Sequence, residues 1–173
     1  MKYDNIKIRQ ATENDIEQIA IIKVEGWKNA YRGIIDSDYL NSMLVSNEIE
    51  KYKSKHYSLN TVFVAELDNE ILGFCRVYDF DKSPYRDSSI DCEIREIYVR
   101  PDIKRMGIGS KLFHYVLNYF KEKGKNKLYL GVFEANYNSR KFYEKMGGIL
   151  GEMDNLDIDG NKYSTVSYIY ILK

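Results

Sequence analysis

The segment 94–110 constrains this chain more than any other part of its sequence. Its residues alternate like a strand as far as Val99, break at Pro101, and continue into a loop in which Gly107 and Gly109 precede a helix. The first N–H groups of a helix have no partner within it, and the helix dipole places positive charge at the same end. The segment therefore predicts an anion-binding site where the loop meets the helix.

Charge along this loop favours a ligand with phosphate groups. Between positions 100 and 111 the chain has four basic residues and one acid, although its formal net charge is zero. Two familiar phosphate motifs are excluded: Ser110 precedes Lys111, the reverse of the Walker order, and Leu112 replaces the third glycine of the dinucleotide fingerprint. A glycine pair alone is also typical of a tight turn, so the flanking residues decide. The basic residues are Arg100, Lys104, Arg105 and Lys111.

A second block, Asn136-Tyr-Asn-Ser-Arg-Lys-Phe-Tyr-Glu-Lys-Met-Gly147, follows later in the chain. Together the two blocks resemble the coenzyme A loop and the Asn-x-x-Ala-x-x-Phe-Tyr-x-Lys-x-Gly segment of the GNAT superfamily of N-acetyltransferases. Lys104 stands where that family usually has Arg or Gln, and Gly148 where it usually has Phe. An early segment, Trp27-Lys-Asn-Ala-Tyr-Arg-Gly33, is similar to one common in small bacterial acetyltransferases. The resemblance covers nearly the whole chain and specifies no substrate.

The resemblance implies that acetyl-CoA is the co-substrate and that no metal takes part. It also implies that the pantetheine arm lies between the strands predicted at 92–99 and 128–133. Backbone groups around Ile97–Val99 would hold the arm, and one N–H group there would polarise the thioester carbonyl. The residues expected to contact coenzyme A are Ile97, Tyr98, Val99, Lys104, Arg105, Met106, Gly107, Ile108, Gly109, Ser110, Asn136, Ser139 and Tyr143.

Acetyl transfer to an amine needs a proton donor for the leaving thiolate. Tyr143 aligns with the family's tyrosine near the coenzyme sulfur, and a phenol with a reference pKa of about 10 suits this role. The alternative interpretation is a packing tyrosine on a short amphipathic helix. The position within the motif favours Tyr143 as the general acid.

The base is assigned by the resemblance to Glu93, which aligns with a glutamate that serves as base in some family members. Because a free amine has a pKa of about 10.4 and a glutamate one of about 4.3, we expect a relay through water rather than direct abstraction. The alternative for Glu93 is a strand carboxylate paired with Arg95. Strand alternation predicts that Glu93, Arg95 and Ile97 share one face, opposite Ile94, Glu96 and Tyr98.

The resemblance places the amine acceptor under the first helices. Trp27 and Tyr31, together with Tyr39, are candidates for an aromatic wall there, and Glu93 is a candidate polar contact. Core packing is the alternative for Trp27. Gly131 replaces a glutamate that some peptide N-terminal acetyltransferases carry, which argues against a peptide substrate.

An acidic loop supports a cationic acceptor. Residues 79–93 contain five acids against Lys82 and Arg86, which gives a net charge of minus three. Such a loop beside the cleft would attract a positively charged amine, for example a polyamine or an amino sugar.

The predicted elements follow the order βααβββαβαββ, which indicates a mixed α/β fold. The resemblance adds a GNAT-like architecture, a mostly antiparallel twisted sheet with helices on both faces. Strands are predicted at 6–9, 62–67, 70–78, 92–99, 128–133 and 163–172, with one more segment before the last turn at 159–160. Helices are predicted near 16–27, in an interrupted stretch at 35–43 and 47–55, between Gly107 and Gly124, and at 139–146.

Composition limits the remaining function classes. A chain of 173 residues suits one domain spanning 1–173, and balanced charge argues against nucleic acid as the main partner. No apolar run approaches the roughly 18 residues of a membrane span. Cys75 and Cys92 lack metal spacing, so we expect a reduced, cytoplasmic protein. A Cys–His nucleophile has little support, because His56 ends a polar helix and His114 is expected to face solvent.

Two other functions stay open at this stage. One is a non-catalytic acyl-CoA-binding regulatory module, and the other is an acetyltransferase acting on protein N-termini or charged tRNA. A homodimer is also an expectation, because the tyrosine-rich last strand would pair with a second copy if it lay at a sheet edge.

Overall fold

The computed structural model describes residues 5–54 and 57–173. Seven strands of this part of the chain form one sheet: β1 (Lys7–Gln10), β2 (Val62–Leu67), β3 (Glu70–Asp79), β4 (Ile90–Val99), β5 (Lys127–Phe133), β6 (Ile149–Ile158) and β7 (Asn161–Ile171). The α-helices are α1 (Ile16–Ala30), α2 (Ser37–Ser42), α3 (Val45–Lys53), α4 (Ile108–Glu122) and α5 (Tyr137–Lys145). The strand order is β1-β2-β3-β4-β5-β7-β6.

The sheet is mixed, as the sequence predicts. Strands β4 and β5 pair in parallel, and the other neighbouring strands are antiparallel. The interrupted helical stretch is two helices, α2 and α3, separated by extended backbone at Met43 and Leu44. The end predicted for that stretch at Lys55, and His56 after it, lie outside the described residues. None of the described helices is long and apolar enough to cross a membrane.

Two hairpins follow from their turn residues. Asp68 and Asn69 join β2 to β3 with φ angles of 52° and 67°, and Asp159 and Gly160 join β6 to β7 with φ angles of 52° and 80°. Two consecutive positive φ angles define the turn whose twist matches that of paired strands, and Asp, Asn and Gly tolerate them best. Both predicted turns are confirmed.

Helices cover both faces of the sheet. Apolar residues at helical spacing on α4, including Leu112, Phe113 and Val116, are fully buried against one face. On the other face, Ile19 and Ala20 of α1 are buried against residues of β2 and β3. Both helices thus remove an apolar stripe from water by packing it on the sheet.

A bulge corrects the predicted faces of β4. The register against β3 shifts between Arg76 and Val77, which pair with Glu96 and Ile94, so Arg95 is an extra residue. The extra residue reverses the alternation beyond it. Ile94 and Ile97 therefore both pack on the α4 side, whereas Tyr98 packs on the α1 side. The prediction that Glu93 and Ile97 share a face, opposite Ile94, is wrong.

The expected edge position of the last strand is also wrong. Strand β7 lies between β5 and β6, and β6 forms the edge. Strand β7 pairs with β5 over residues 165–171 and with β6 over residues 161–169, which removes the argument for pairing through this strand. The homodimer stays a prediction.

Candidate active site

Strands β4 and β5 separate after a short paired stretch. Their ladder joins Ile90, Cys92 and Glu93 to Lys127, Leu128 and Tyr129. Beyond it, β4 continues along β3 to Val99, and β5 continues along β7 to Phe133. The divergence leaves a wedge-shaped gap holding a cavity of about 140 Å³, which residues of α1, β4, β5 and α5 line. The predicted site residues that line it are Tyr31, Ile97, Tyr98, Val99, Lys104, Asn136, Ser139 and Tyr143.

The glycine loop forms the N-terminal end of α4. Gly107 is the N-cap, with a φ angle of 81°, and no side chain caps this end. A Cβ atom on Gly107 would meet nothing within 4 Å, so its backbone conformation rather than lack of space requires glycine. The intrahelical ladder begins where the Lys111 N–H group donates to the Gly107 carbonyl at 3.0 Å. The amides of residues 108–110 therefore lie ahead of that ladder.

The rest of the loop has one buried residue and an exposed outer side. Ile108 is buried at the start of α4, whereas Met106 is 51% exposed and Arg105 has a φ angle of 66°. A Cβ atom on Gly109 would make ordinary contacts with Val99 and Phe142, at 3.7 and 3.8 Å. The loop thus packs from its inner side and leaves its outer side accessible.

The basic residues of the loop have different environments. Arg100 is bound by two carboxylates, Glu70 at 3.1 Å and Asp102 at 2.8 Å, so much of its charge is compensated. Lys104 lines the gap and donates to the side-chain oxygen of Asn29, and burial lowers its pKa. Of the basic residues of the loop, Lys104 is thus the one that lines the gap.

Helix α5 aims Tyr143 into the gap. The Asn136 side chain caps the helix by accepting from the Ser139 N–H group at 3.2 Å, and Ser139 and Tyr143 lie one turn apart on the gap side. Tyr143 is 9% exposed, and its phenol oxygen has no hydrogen-bond partner among the described residues. Burial raises the pKa of Tyr143 well above its usual value, so the hydroxyl keeps its proton.

Tyr170 explains the departure from the family's Gly-Phe pair. Its hydroxyl donates to the Tyr143 carbonyl at 2.8 Å. A Cβ atom on Gly148 would lie 2.7 Å from the Tyr170 oxygen and 3.0 Å from that carbonyl. Glycine at position 148 therefore makes room for a contact that fixes the end of α5.

Glu93 lies where the two strands part. It pairs in register with Tyr129, the last such pair of the ladder, and it is 4% exposed. Its carboxylate binds Arg95 at 3.1 Å, the contact expected for a structural carboxylate. Glu93 also acts on Tyr85, whose pKa is raised by burial first and then by Glu93. Glu93 is not among the residues lining the gap, and its role as base stays a prediction.

The aromatic residues of α1 form two layers. Tyr31 lines the gap, and its hydroxyl is 3.0 Å from that of Tyr98. Trp27 packs edge-on behind Tyr31 with ring centroids 4.9 Å apart, and Tyr39 lies behind Trp27 at 6.2 Å. Tyr31 is therefore placed to touch a bound molecule, whereas Trp27 supports it.

None of the five acids of the loop lines the gap. Asp79 binds Lys123 at 3.0 Å and Asp87 binds Lys127 at 2.9 Å. Asp91 accepts from the Asn126 N–H group at 2.9 Å. Three of the five acids thus fasten the loop to the α4–β5 connection.

A buried ion pair beside the gap escaped the sequence analysis. Lys23 is 4% exposed, its amino group binds the carboxylate of Glu96, and Glu96 lines the gap. The signal was present, because Lys23 is a charged residue on the apolar stripe of α1 between Ala20 and Trp27. Its partner lies 73 residues away and was not recognisable from spacing.

Comparison with known proteins identifies the family. Residues 28–148 match the model of the acetyltransferase (GNAT) family. This chain belongs to the GNAT family of acetyltransferases. It is 30% identical over 162 residues to YuaI of Bacillus subtilis, an uncharacterized N-acetyltransferase, covering 93% of this chain and 90% of YuaI. It is 27% identical over 156 residues to spermidine N(1)-acetyltransferase of Thermoplasma acidophilum, covering 88% and 94% of the two chains.

Solved structures share the GNAT fold. PaiA N-acetyltransferase from Thermoplasma acidophilum, in complex with coenzyme A, has a TM-score of 0.67 at 22% identity and covers 96% of this chain and 99% of its own. YncA from Salmonella typhimurium, with its cofactor acetyl-CoA, has a TM-score of 0.67 at 16% identity and covers 98% and 95%. The predicted GNAT fold, N-acetyltransferase activity and use of acetyl-CoA are confirmed. No cluster of three His, Cys, Asp or Glu side chains able to hold a metal occurs among the described residues.

Proposed function

We propose that this GNAT enzyme acetylates the primary amine of a small cationic molecule by direct transfer from acetyl-CoA. The observation that carries the proposal is the gap between β4 and β5, which opens beside the uncapped N-terminus of α4. A slender thiol arm needs a channel bordered by unpaired backbone groups, and a diphosphate needs several N–H groups at one point. Both features lie together here.

The coenzyme is held mainly by backbone groups in this proposal. Residues 97–99 of β4 would bind the pantetheine arm along the open edge of the strand. The loop 104–110, with Lys104 and the N–H groups at the start of α4, would bind the diphosphate. Asn136 and Ser139 border the gap from α5.

Two side chains handle protons in the proposed reaction. Tyr143 would protonate the leaving thiolate, since its buried hydroxyl keeps its proton and faces the gap. Glu93 would accept the proton of the ammonium through water, because it lies at the apex of the gap rather than in its lining. The acetyl thioester itself supplies the acyl group.

A cationic acceptor has two supports. The first is the similarity to a spermidine acetyltransferase. The second is a surface pocket lined by Tyr129, Glu152 and Asp154. Burial first, and then Glu93 and these carboxylates, raise the pKa of Tyr129, against a smaller opposing effect of Arg95. These carboxylates lie on the face of the sheet away from α4, where a polyamine or an amino sugar would enter. We also place the enzyme in the cytoplasm, since Cys75 and Cys92 are both free and buried.

A panel of acceptors tests the proposal. Polyamines, aminoglycosides, simple amines, N-terminal peptides and aminoacyl-tRNA are incubated with acetyl-CoA, and free thiol and acetylated product are measured together. We expect product from at least one small polycation and none from peptides or tRNA. Product from a peptide or tRNA alone would overturn the acceptor class. Acetyl-CoA binding with no product from any amine would indicate a regulatory module.

A further inference from the structure

The amino group of Lys23 occupies a site that would suit a substrate ammonium. Its nitrogen binds the carboxylate of Glu96 and lies 4.9 Å from the ring centre of Trp27 and 5.0 Å from that of Tyr98. A carboxylate together with two aromatic faces is the usual environment for binding an alkylammonium ion in a dry pocket. Here a side chain of the enzyme itself fills that environment.

This amino group lies next to the gap. Both Glu96 and Tyr98, which contact it, line the gap. Gly26, one turn further along α1, also lines the gap, and a Cβ atom there would lie 2.8 Å from the Tyr98 ring. Helix α1 therefore packs directly against β4 at this point and holds the Lys23 nitrogen against the gap's own lining.

A proton acceptor lies beside the amine. One oxygen of Glu96 binds Lys23, while the other is buried and has no hydrogen-bond partner in the described part of the chain. Burial lowers the pKa of Lys23, and the charge of Glu96 offsets part of this change. From α3, Glu48 raises and Lys51 lowers the same pKa by smaller amounts. The surroundings thus favour loss of a proton from this lysine more than from a lysine in water.

We propose that Lys23 is an internal acetyl acceptor, which the enzyme acetylates when no small amine is bound. The inference rests on the proposed transfer reaction in the gap. Glu96 takes a proton from the Lys23 ammonium, and the neutral nitrogen forms a bond to the thioester carbonyl carbon. The carbon–sulfur bond breaks, and the thiolate takes a proton from Tyr143 to leave as the coenzyme A thiol. The acylated nitrogen gives up its second proton, which restores the Tyr143 phenol, and Glu96 releases the first proton to solvent. The products are N-acetyl-lysine, the free thiol and one proton released to solvent.

The burial of Lys23 allows acetylation within the active site to be distinguished from spontaneous acetylation. Spontaneous acetylation follows exposure, so it labels surface lysines such as Lys121 before one that is 4% exposed. Wild-type protein is incubated with isotopically labelled acetyl-CoA without an added amine, and the label is located by peptide mass spectrometry. A parallel sample receives acetic anhydride, which needs no binding site. Excess coenzyme A is added to a third sample as a competitor.

We expect acetyl-CoA to label Lys23 ahead of Lys121, at a first-order rate that does not change on dilution of the protein and that coenzyme A suppresses. Acetic anhydride should give the reverse order. Lys23 left unlabelled while surface lysines react would overturn the inference, as would a rate that falls on dilution. Thiol release with the amine panel separates the two proposals. Turnover of an amine without labelling of Lys23 would contradict only this inference. Labelling of Lys23 without turnover of any amine would contradict only the proposal of a small-amine acceptor.

Discussion

Tyr143 is the residue whose position most directly implies a chemical role. Its ring is buried among Phe113, Phe142 and Tyr168, and the residue lines the gap. We predict that Tyr143→Phe lowers kcat by roughly 100-fold or more, the usual contribution of a general acid, with little change in acetyl-CoA affinity. Steady-state kinetics and isothermal titration measure the two effects.

Tyr170→Phe is the matched control for that variant. It removes one hydroxyl that donates to the Tyr143 carbonyl and leaves the Tyr143 phenol intact. The expected loss is about 1 kcal/mol of stability with a much smaller change in kcat. Equal turnover in Tyr143→Phe and the wild type would remove Tyr143 from the mechanism.

At the residue scale, prediction succeeded where a motif fixes a local geometry. Asn136, Ser139 and Tyr143 lie within one short helix, so their spacing alone brings them to one side of the gap. Lys23 and Glu96 were missed because their pairing depends on how α1 packs across β4. No local pattern carries that information.

At the scale of elements, we predict that variants at the two ends of α4 differ in acetyl-CoA binding. Gly107→Glu places a carboxylate at the proposed anion site and should abolish acetyl-CoA binding in an isothermal titration. Gly124→Glu is the control, because it puts the same residue near the other end of α4. The two glycines have similar backbone conformations, with φ angles of 81° for Gly107 and 70° for Gly124. Each change costs about 1 kcal/mol of backbone strain, so stability should fall similarly. Loss of binding in both variants, or in neither, would contradict the assignment.

The junction of β1 and α1 predicts a pH effect on stability. Burial alone would raise the pKa of Asp15. Hydrogen bonds from Arg9 and Thr12 outweigh this effect and hold the pKa below its usual value. A lowered folded-state pKa gives stability that is complete above the unfolded pKa of about 3.9 and is lost as pH falls through the folded value. Asp15→Asn should therefore cost about 2 kcal/mol near neutral pH.

Denaturant unfolding of Asp15→Asn and wild type over a range of pH checks this expectation. The difference between the two proteins should shrink in acid, because the wild-type carboxyl then loses its charge. A difference that stays constant with pH would show that the charge of Asp15 contributes nothing.

The bulge at Arg95 shows why strand faces were harder to predict than strand positions. Residues 92–99 were identified as a strand from their alternation, and the structure places them in β4. Alternation alone does not reveal the extra residue, because the bulge exists only relative to the register with β3. One inserted residue exchanges the faces of everything after it.

At the scale of the whole molecule, the predicted coenzyme-binding and catalytic residues are related by one feature, the divergence of β4 and β5. Both strands were expected from the sequence, and so was the open space between them. The order of β6 and β7 in the sheet was not expected. Either strand of that hairpin could pair with β5 without any change in the turn that joins them. Topology of this kind is decided by packing over the entire sheet.

Hydrogen–deuterium exchange with and without acetyl-CoA tests the central claim most directly. The N–H groups of residues 108–110 precede the helical ladder, and those of β4 beyond Glu93 border the gap. We predict slower exchange at 97–99 and 107–111 when acetyl-CoA is bound, and no change at residues 120–124, at the far end of α4. Unchanged exchange at 107–111 under saturating acetyl-CoA would contradict the account.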